Sequence, residues 1–283
     1  MRQPLPRTDL AVEAHRLRAS EQALEGVEVS ERDRSGFHVT TVEVRSPAAS
    51  ETLCKPIGKY DTVTLEPVLR REEDSFSAAA SLLAELLREL LPSEETFSAL
   101  VVGLGNRAIT PDAVGPKAME SVLATRHLRE QMPDVFSCFR AVSVLSPGVL
   151  GTTGIEAGSV VRAIAKDLAP DVIIAVDALA CSEPERLCRT VQISDTGITP
   201  GSGVGNHRMA LNLESLGVPV LAVGVPTVMD VRVFSNAESL EGMFVTPRNI
   251  DSVVADFSKL IGYAVNLALH SDLSITDLDL LLS

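Results

Sequence analysis

Three continuous apolar runs mark the central part of the chain. They are ALVVGLG at 99–105, DVIIAVDALA at 171–180 and VPVLAVGVPT at 218–227. Each run is too hydrophobic for a strand that has one face in water, so it predicts a parallel strand buried on both faces. A shorter run at 139–148 predicts a fourth strand, and helical patterns at 113–130 and 157–168 lie between the strands. This alternation predicts an α/β fold, a three-layer sandwich with a mostly parallel central sheet.

The flanking regions predict further elements of a single domain. Leucines from Ser75 onward are spaced to bury one face of a helix that ends before Pro92, and residues 249–270 form a second amphipathic pattern. Residues 20–75 alternate charged stretches with β-rich runs such as FHVTTVEV and YDTVTLEP. We therefore expect one α/β domain over 10–283, with an irregular β-rich part at about 20–75.

The amino-acid composition limits the kinds of molecule that the protein is expected to bind. The net charge of −13 and the pI near 4.9 oppose binding to nucleic acid or to an anionic membrane, and favour small molecules or proteins. The four cysteines show no Cys-x-x-Cys spacing, so neither a zinc site nor a disulfide framework is predicted. No signal peptide is evident and no segment reaches the ~20 apolar residues of a membrane span, which predicts a cytoplasmic protein. No cofactor is expected.

The stretch VVGLGNRAITPDAVGP, residues 101–116, resembles a nucleotide-binding turn but departs from that pattern. Gly103 and Gly105 are followed by Ala108 where a third glycine belongs, and no Gly-Lys-Ser/Thr follows. Pro111 is typical of a first helical position, which makes the preceding loop long for a pyrophosphate turn. A non-enzymatic module that binds an anion or a nucleotide stays an alternative.

Two acids are predicted to meet at the carboxyl edge of the sheet. Asp112 falls in the first turn after one buried strand, and Asp177 falls at the end of the next. Ligands bind at this edge in open α/β sheets. Two close carboxylates do not ionise together easily, so one can act as an acid and the other as a base on water. The alternative is structural, because an acid at either place also stabilises a helix start.

A second glycine-rich stretch, QISDTGITPGSGVGNHR at 192–208, can present N–H groups to an oxyanion or to an extended peptide. The residues predicted to contact substrate there are Asp195, Gly201, Ser202, Gly203, Gly205 and Asn206. A flexible surface loop is the competing interpretation. His207 could join Asp112 and Asp177 in a metal site, which gives an alternative mechanism.

These segments carry a resemblance to a known family. GLGNRAITPDAVGPKAMESVLATRHL, PGVLGTTGIE, AVDALA, QISDTGITPGSGVGN and GVPTVMD, together with RTDLAVEA near the N-terminus, resemble the germination proteases of spore-forming bacteria. The resemblance implies an endopeptidase, in the spore interior, that degrades small acid-soluble spore proteins during germination. It also implies an aspartic-type mechanism with Asp112 and Asp177 as the catalytic acids. The family is similar in fold to hydrogenase maturation endopeptidases, whose metal site supplies the alternative mechanism.

The resemblance further implies a zymogen that trims itself. The family cuts after an acidic residue and before a hydrophobic residue followed by Ala, a pattern that Asp9, Leu10 and Ala11 match. Cleavage between Asp9 and Leu10 would remove residues 1–9 as a propeptide. A homotetramer is implied as well, although the segment that follows GVPTVMD is shorter than the family's. Arg107, Lys117 and Arg126 are expected to form a cationic pocket for acidic substrate residues, and an inactive scaffold that only binds spore proteins is an alternative.

Overall fold

The computed structural model describes residues 8–19, 24–94, 96–205, 208–234, 240 and 242–282. Nine strands in this part of the chain join one sheet. They are β1 (Val27–Arg34), β2 (Phe37–Val44), β3 (Gly58–Thr64), β4 (Ser98–Gly103), β5 (Ala141–Leu145), β6 (Val172–Cys181), β7 (Thr190–Ser194), β8 (Val220–Asp230) and β9 (Phe244–Val245). The order across the sheet is β1-β2-β3-β7-β8-β6-β4-β5, with β9 paired to β8.

The helices connect these strands and cover them. They are α1 (Ala11–Arg18), α2 (Pro47–Leu53), α3 (Glu66–Leu69), α4 (Ser75–Arg88), α5 (Val114–Ala118), α6 (Arg126–Gln131), α7 (Pro133–Phe136), α8 (Leu150–Thr153), α9 (Ala157–Leu168), α10 (Leu213–Leu216), α11 (Ile250–Leu269) and α12 (Ile275–Leu281). Single 3-10 turns lie at Thr110–Asp112, Met119–Ser121, Ser202–Val204 and Val231–Val233.

The sheet is mixed, and the expectation of a mostly parallel sheet is wrong. β5, β4, β6 and β8 are parallel to one another. β7 then pairs antiparallel with β8, and β3, β2 and β1 continue antiparallel from it. No strand was predicted at the start of the glycine-rich stretch, but residues 190–194 form the strand that joins the N-terminal strands to the parallel ones. The β-rich N-terminal part is therefore an extension of the central sheet.

Helices cover both faces of the parallel strands. Along β4, Ala99 and Val101 pack in a core cluster with α4, α5 and α11, whereas Leu100 and Val102 pack with α9 on the opposite face. Because successive side chains of a strand point to opposite faces, a strand covered on both sides needs a continuous apolar run, which is what 99–105 provides. The arrangement is compatible with three layers.

α11 is the central helix of the larger core cluster. Within the described part of the chain it is the one helix long and apolar enough, by length and composition, to cross a membrane, although no such segment was expected. Most of it is buried in the protein, where it packs against α4 and α5. A core helix of a folded domain passes the same test of length and composition, and the burial of α11 identifies it as one.

Several predicted elements are confirmed, and one is interrupted. β2 spans 37–44 and α9 spans 157–168, both as predicted. The helical pattern at 113–130 instead divides into α5, a 3-10 turn and α6. Between them the chain turns extended at Val122, and the N–H of Leu123 donates to the side-chain oxygen of Asn266 on α11 at 2.9 Å. A tertiary contact therefore overrides the local helical pattern.

Candidate active site

Asp177 lies within β6 and does not end it, which corrects the sequence-based expectation. β4 stops at Gly103, whose partner is Val176, whereas β6 continues beside β8 to Cys181. Asp177 is therefore the first residue of β6 beyond the end of β4, and its side chain is only 4% exposed. Its carboxylate accepts a hydrogen bond of 2.9 Å from the N–H of Ala178. Because β6 extends further than β4, this buried acid lies at the carboxyl edge of the sheet.

Asp112 reaches the same edge on a 3-10 turn. Its carboxylate accepts a hydrogen bond of 2.8 Å from the N–H of Asn106, so the long loop folds back around the acid. Gly105 has a φ of +110°, and a Cβ atom there would collide with the carbonyl oxygen of Asp112. Cβ atoms at Gly103 or Gly115 would collide with the backbone that packs α5 against β4. The glycines thus permit close packing around Asp112.

Threonine side chains fix the turn that carries Asp112. The buried hydroxyl of Thr227 on β8 donates to the carbonyl of Pro111 at 2.7 Å, and the hydroxyl of Thr246 donates to the carbonyl of Thr227 at 2.9 Å. Thr110 donates to Asp251 at the start of α11 at 2.9 Å. Sequence reasoning missed these positioning contacts, because they join segments that are far apart in the chain.

The two acids share one cavity of about 340 Å³. Burial raises the pKa of Asp177 well above its usual value of 3.8, and the charges of Asp112 and Asp9 raise it further. Burial also raises the pKa of Asp112, whereas the hydrogen bond from Asn106 and the charge of Arg208 lower it. Asp177 is therefore the acid that holds a proton more strongly.

Arg208 is the cationic side chain among the described residues that line this cavity, and the sequence analysis did not select it. The expected cationic pocket is not formed at the cavity. Arg107 pairs with Glu120, and Arg126 donates to the carbonyl of Leu168 at 3.2 Å. Lys117, on α5, does not line the cavity either. Proximity in sequence to Asp112 failed to identify the relevant cation because α5 and α6 lead away from the edge.

The glycine loop, residues 201–205, binds Asp9 through the side chain of Ser202, whereas backbone N–H donors were expected there. Its N–H groups at Ser202, Val204 and Gly205 donate to carbonyl oxygens within the same turn, so they are not free for a substrate oxygen. Gly201 lines the cavity with the two acids, whereas the hydroxyl of Ser202 donates to the carboxylate of Asp9 at 2.6 Å. Gly203 is buried against the same carboxylate, where a Cβ atom would collide.

Asp195, predicted to contact substrate, does not line the cavity of the two acids. Its carboxylate accepts a hydrogen bond of 2.8 Å from the N–H of Lys59, which ties the end of β7 to β3. Asn206 and His207 lie outside the described residues. Among the residues that the structure does describe, no group of three or more His, Cys, Asp or Glu side chains could hold a metal ion.

The N-terminal segment lies directly beside the cavity. Asp9 donates from its N–H to the carbonyl of Ala180 at 2.9 Å, and its carboxylate accepts from the N–H of Ala180 at 2.8 Å. Leu10 is fully buried in a cluster with Leu53, Tyr60 and Leu179. The residues on both sides of the Asp9–Leu10 bond are thus held by the body of the domain.

Glu13 anchors the first turn of α1. It is fully buried, and it accepts hydrogen bonds from the N–H and hydroxyl of Ser182 at 2.6 and 2.8 Å and from the N–H of Glu183 at 3.0 Å. The hydroxyl of Thr8 also donates to it. Burial raises the pKa of Glu13, and these hydrogen bonds lower it. No local pattern around Glu13 indicates this anchor, because Ser182 and Glu183 follow β6 more than a hundred residues later.

A buried carboxylate and a half-buried one of unequal pKa, beside a peptide segment held by the strand edge, define an acid–base site of the kind that hydrolases use. The profile of the germination protease family matches residues 6–240. The chain belongs to the germination protease family, whose members are endopeptidases.

Individual relatives agree with this assignment. The chain is 35% identical to a germination protease of Clostridium perfringens (strain SM101 / Type A), over 96% of this chain and 98% of the relative. It is 37% identical to one from Caldanaerobacter subterraneus subsp. tengcongensis, over 98% of each chain. A Bacillus cereus (strain ATCC 10987 / NRS 248) germination protease is 46% identical over 79% of this chain and 63% of the relative. The first two alignments span 317 residues, so these relatives carry insertions relative to the 283 residues here.

Proposed function

We propose that this germination protease cuts small acid-soluble spore proteins after an acidic residue and before a hydrophobic residue followed by Ala. The observation that carries the proposal is the placement of Asp112 and Asp177 in one cavity that Asp9 also lines. Asp9, Leu10 and Ala11 have the acid, hydrophobic and Ala order of the proposed cut, so the chain's own segment stands in for a substrate there. We also propose that the protein is located in the spore interior, together with these substrate proteins.

The mechanism we propose is of the aspartic type. The Asp112 carboxylate, which is less buried, removes a proton from a water molecule in the cavity as that water attacks the peptide carbonyl. Asp177, whose pKa is raised further, holds the proton that the departing amine takes up. The inequality between the two acids supports this division of roles, because two identical environments would not separate an acid from a base.

We also propose that the chain processes itself at Asp9–Leu10 and so releases residues 1–9. The burial of Leu10 and the bonds made by Asp9 support the proposal, because they hold the bond between these two residues in a fixed place beside the acids. The processed protein would retain α1, anchored through Glu13. The family resemblance adds a homotetramer, which light scattering on the purified protein would test.

One experiment tests the activity directly. The purified full-length chain is incubated with a small acid-soluble spore protein, and the new N-termini of both proteins are sequenced. We expect spore-protein fragments that begin with a hydrophobic residue followed by Ala, and a processed chain that begins at Leu10. Intact spore protein that still binds the chain would instead identify an inactive scaffold.

The metal-dependent mechanism of the hydrogenase maturation endopeptidases, with Asp112, Asp177 and His207 as ligands, is the competing proposal. It predicts that exhaustive chelation abolishes cleavage and that the active protein contains one transition metal ion per chain. Full activity of a metal-free preparation would exclude it.

A further inference from the structure

A second cavity, of about 290 Å³, is also lined by Asp9. Lys55 and Gln192 line this second cavity, whereas Asp112 and Asp177 line the first. Asp9 is thus shared by a cavity with two carboxylates and a cavity with a cation and an amide.

Lys55 and Gln192 both bind the carbonyl oxygen of Asp9. The ammonium of Lys55 donates to this oxygen at 2.7 Å and to the carbonyl of Thr8 at 3.2 Å. The side-chain amide of Gln192 donates to the Asp9 carbonyl at 3.3 Å, and its oxygen accepts from the N–H of Ala11 at 2.8 Å. The oxygen of the Asp9–Leu10 peptide bond thus has two side-chain donors, one of them charged.

The fold fixes both donors. Gln192 lies on β7, between β3 and β8 in the sheet. α2 ends at Cys54, which has a left-handed conformation with a φ of +52°, and Lys55 is the next residue. The N–H of Lys55 donates to the carbonyl of Ser50 at 3.2 Å. Donors held in place before the reaction need no rearrangement when charge develops, which is the condition for effective electrostatic catalysis.

The hydrogen bonds of Lys55 to main-chain oxygens contrast with those of a neighbouring lysine. Lys59, on β3, pairs with the carboxylates of Asp61 at 2.9 Å and Glu89 at 3.1 Å. Burial lowers the pKa of Lys55, whereas the charges of Asp9 and Glu13 raise it. The ammonium of Lys55 is partly buried and binds a peptide carbonyl, and it acts on the nearby acids only through its charge. Its attraction to that carbonyl oxygen therefore increases when the oxygen becomes negatively charged.

We propose that Lys55 and Gln192 form the oxyanion site of this peptidase and hold the carbonyl of the residue before the cut. This inference rests on the proposed cleavage after Asp9 and its equivalents in substrates. As the water oxygen bonds to the carbonyl carbon, the electron pair of the C=O double bond moves to the oxygen that Lys55 and Gln192 bind, and Asp112 takes the water proton. The electron pair on the oxygen then re-forms the C=O double bond as the C–N bond breaks, and the departing amine takes the proton of Asp177.

The test measures kcat and KM for a small acid-soluble spore protein with the full-length chain and its variants. Lys55→Met removes the charged donor, and we expect kcat to fall by about 10²–10³, as for the loss of an oxyanion donor elsewhere, with KM within about threefold of the wild type. Lys55→Arg retains a charge and should recover part of kcat. Gln192→Leu removes a neutral donor at longer distance and should cost about tenfold in kcat.

Lys59→Met is the matched control, because it removes another partly buried lysine from the same part of the chain but one bound to carboxylates. It should keep the wild-type kcat. The pH profile gives an independent readout: kcat should decline at alkaline pH as Lys55 loses its proton, in addition to the decline caused by ionisation of Asp177, and only the part that belongs to Lys55 should be absent in Lys55→Arg. If Lys55→Met does not fold, Gln192→Leu and this pH profile decide the question.

The results separate this inference from the proposed function. A wild-type chain that cuts nothing contradicts the proposed function. A wild type that cuts, with Asp177→Asn inactive and Lys55→Met at the wild-type kcat, contradicts the oxyanion site alone. A loss confined to KM in Lys55→Met would also overturn it, because it would make Lys55 an anchor for the peptide and not a catalytic group.

Discussion

The hydroxyl of Ser202 donates a hydrogen bond of 2.6 Å to the carboxylate of Asp9, across 193 residues of sequence. Together with the N–H of Ala180, it binds the acidic side chain through neutral donors. The carboxylate of Asp9, at the proposed cut, is therefore bound by the glycine loop and the end of β6. The basic residues around Asp112 in sequence do not provide it.

Replacement of Ser202 by Ala should slow processing at Asp9–Leu10. A hydrogen bond to a charged group contributes about 1.5–3 kcal/mol, so we expect a decrease of roughly 10- to 100-fold in rate. Mass spectrometry of the full-length chain over time measures the rate. Ser252→Ala, at an exposed site on α11 where the hydroxyl bonds only its own helix, is the control. An unchanged rate in Ser202→Ala would show that this hydroxyl does not orient the acid.

Gly105→Ala should impair activity more than stability. Both Gly105 and Gly36 have positive φ, but a Cβ at Gly105 would collide with Asp112, whereas a Cβ at Gly36 meets open space. We expect Gly36→Ala to lower the free energy of unfolding by about 1–2 kcal/mol and Gly105→Ala to lower it further, because its Cβ also displaces backbone. Gly105→Ala alone should lower kcat, by up to about 10²-fold, through displacement of Asp112. Chemical denaturation and cleavage assays measure the two effects. Equal activity in the two variants would contradict the packing role of Gly105.

Asp177→Asn should stabilise the fold at neutral pH. The pKa of Asp177 is raised in the folded state, so between its unfolded value near 3.8 and its folded value the native state binds more protons than the unfolded state. Stability of the wild type then falls as pH rises through this window. Asn does not titrate, so the Tm of the variant should exceed that of the wild type near pH 7, by roughly 2–4 °C for each kcal/mol, and the difference should shrink towards pH 4.

Asp171→Asn provides a control of opposite sign. Hydrogen bonds from the N–H and hydroxyl of Ser98 lower the pKa of Asp171, so its contribution to stability is present at neutral pH and is lost as pH falls through its folded pKa. This variant should have a lower Tm than the wild type at pH 7. A Tm for Asp177→Asn below that of the wild type at pH 7 would mean that Asp177 is ionised and stabilised in the folded protein.

The parallel part of the fold was predictable because its strands are buried on both faces. A continuous apolar run such as 171–180 fits few structures other than a strand buried on both faces. Asp177 was selected because it is an acid within that run. The extent of β6 was not predictable, because it depends on β8 continuing alongside beyond the end of β4. Likewise β7 depends on pairing with β3 and β8, and its short sequence carries little signal alone.

The surroundings of the acids were less predictable than the acids themselves. Asp112 and Asp177 stand in distinctive sequence contexts, whereas Arg208, Thr227 and Lys55 carry no local signal and act through contacts with distant segments. The glycine loop was recognised, but its N–H groups at Ser202, Val204 and Gly205 bond within the turn, and the hydroxyl of Ser202 binds Asp9. A sequence shows which residues carry hydrogen-bond donors, but it does not show which of these donors are already bonded within the folded chain.

The most direct test of the central claim is the kcat/KM of Asp112→Asn and Asp177→Asn for a small acid-soluble spore protein. Each substitution is isosteric, so folding, monitored by circular dichroism and Tm, should be retained. We predict that kcat/KM falls by about 10²–10⁴-fold in each variant, the range that general acid–base groups contribute, while Asp171→Asn keeps the wild-type value. Wild-type turnover by either folded variant would remove that acid from the catalytic pair and contradict the account.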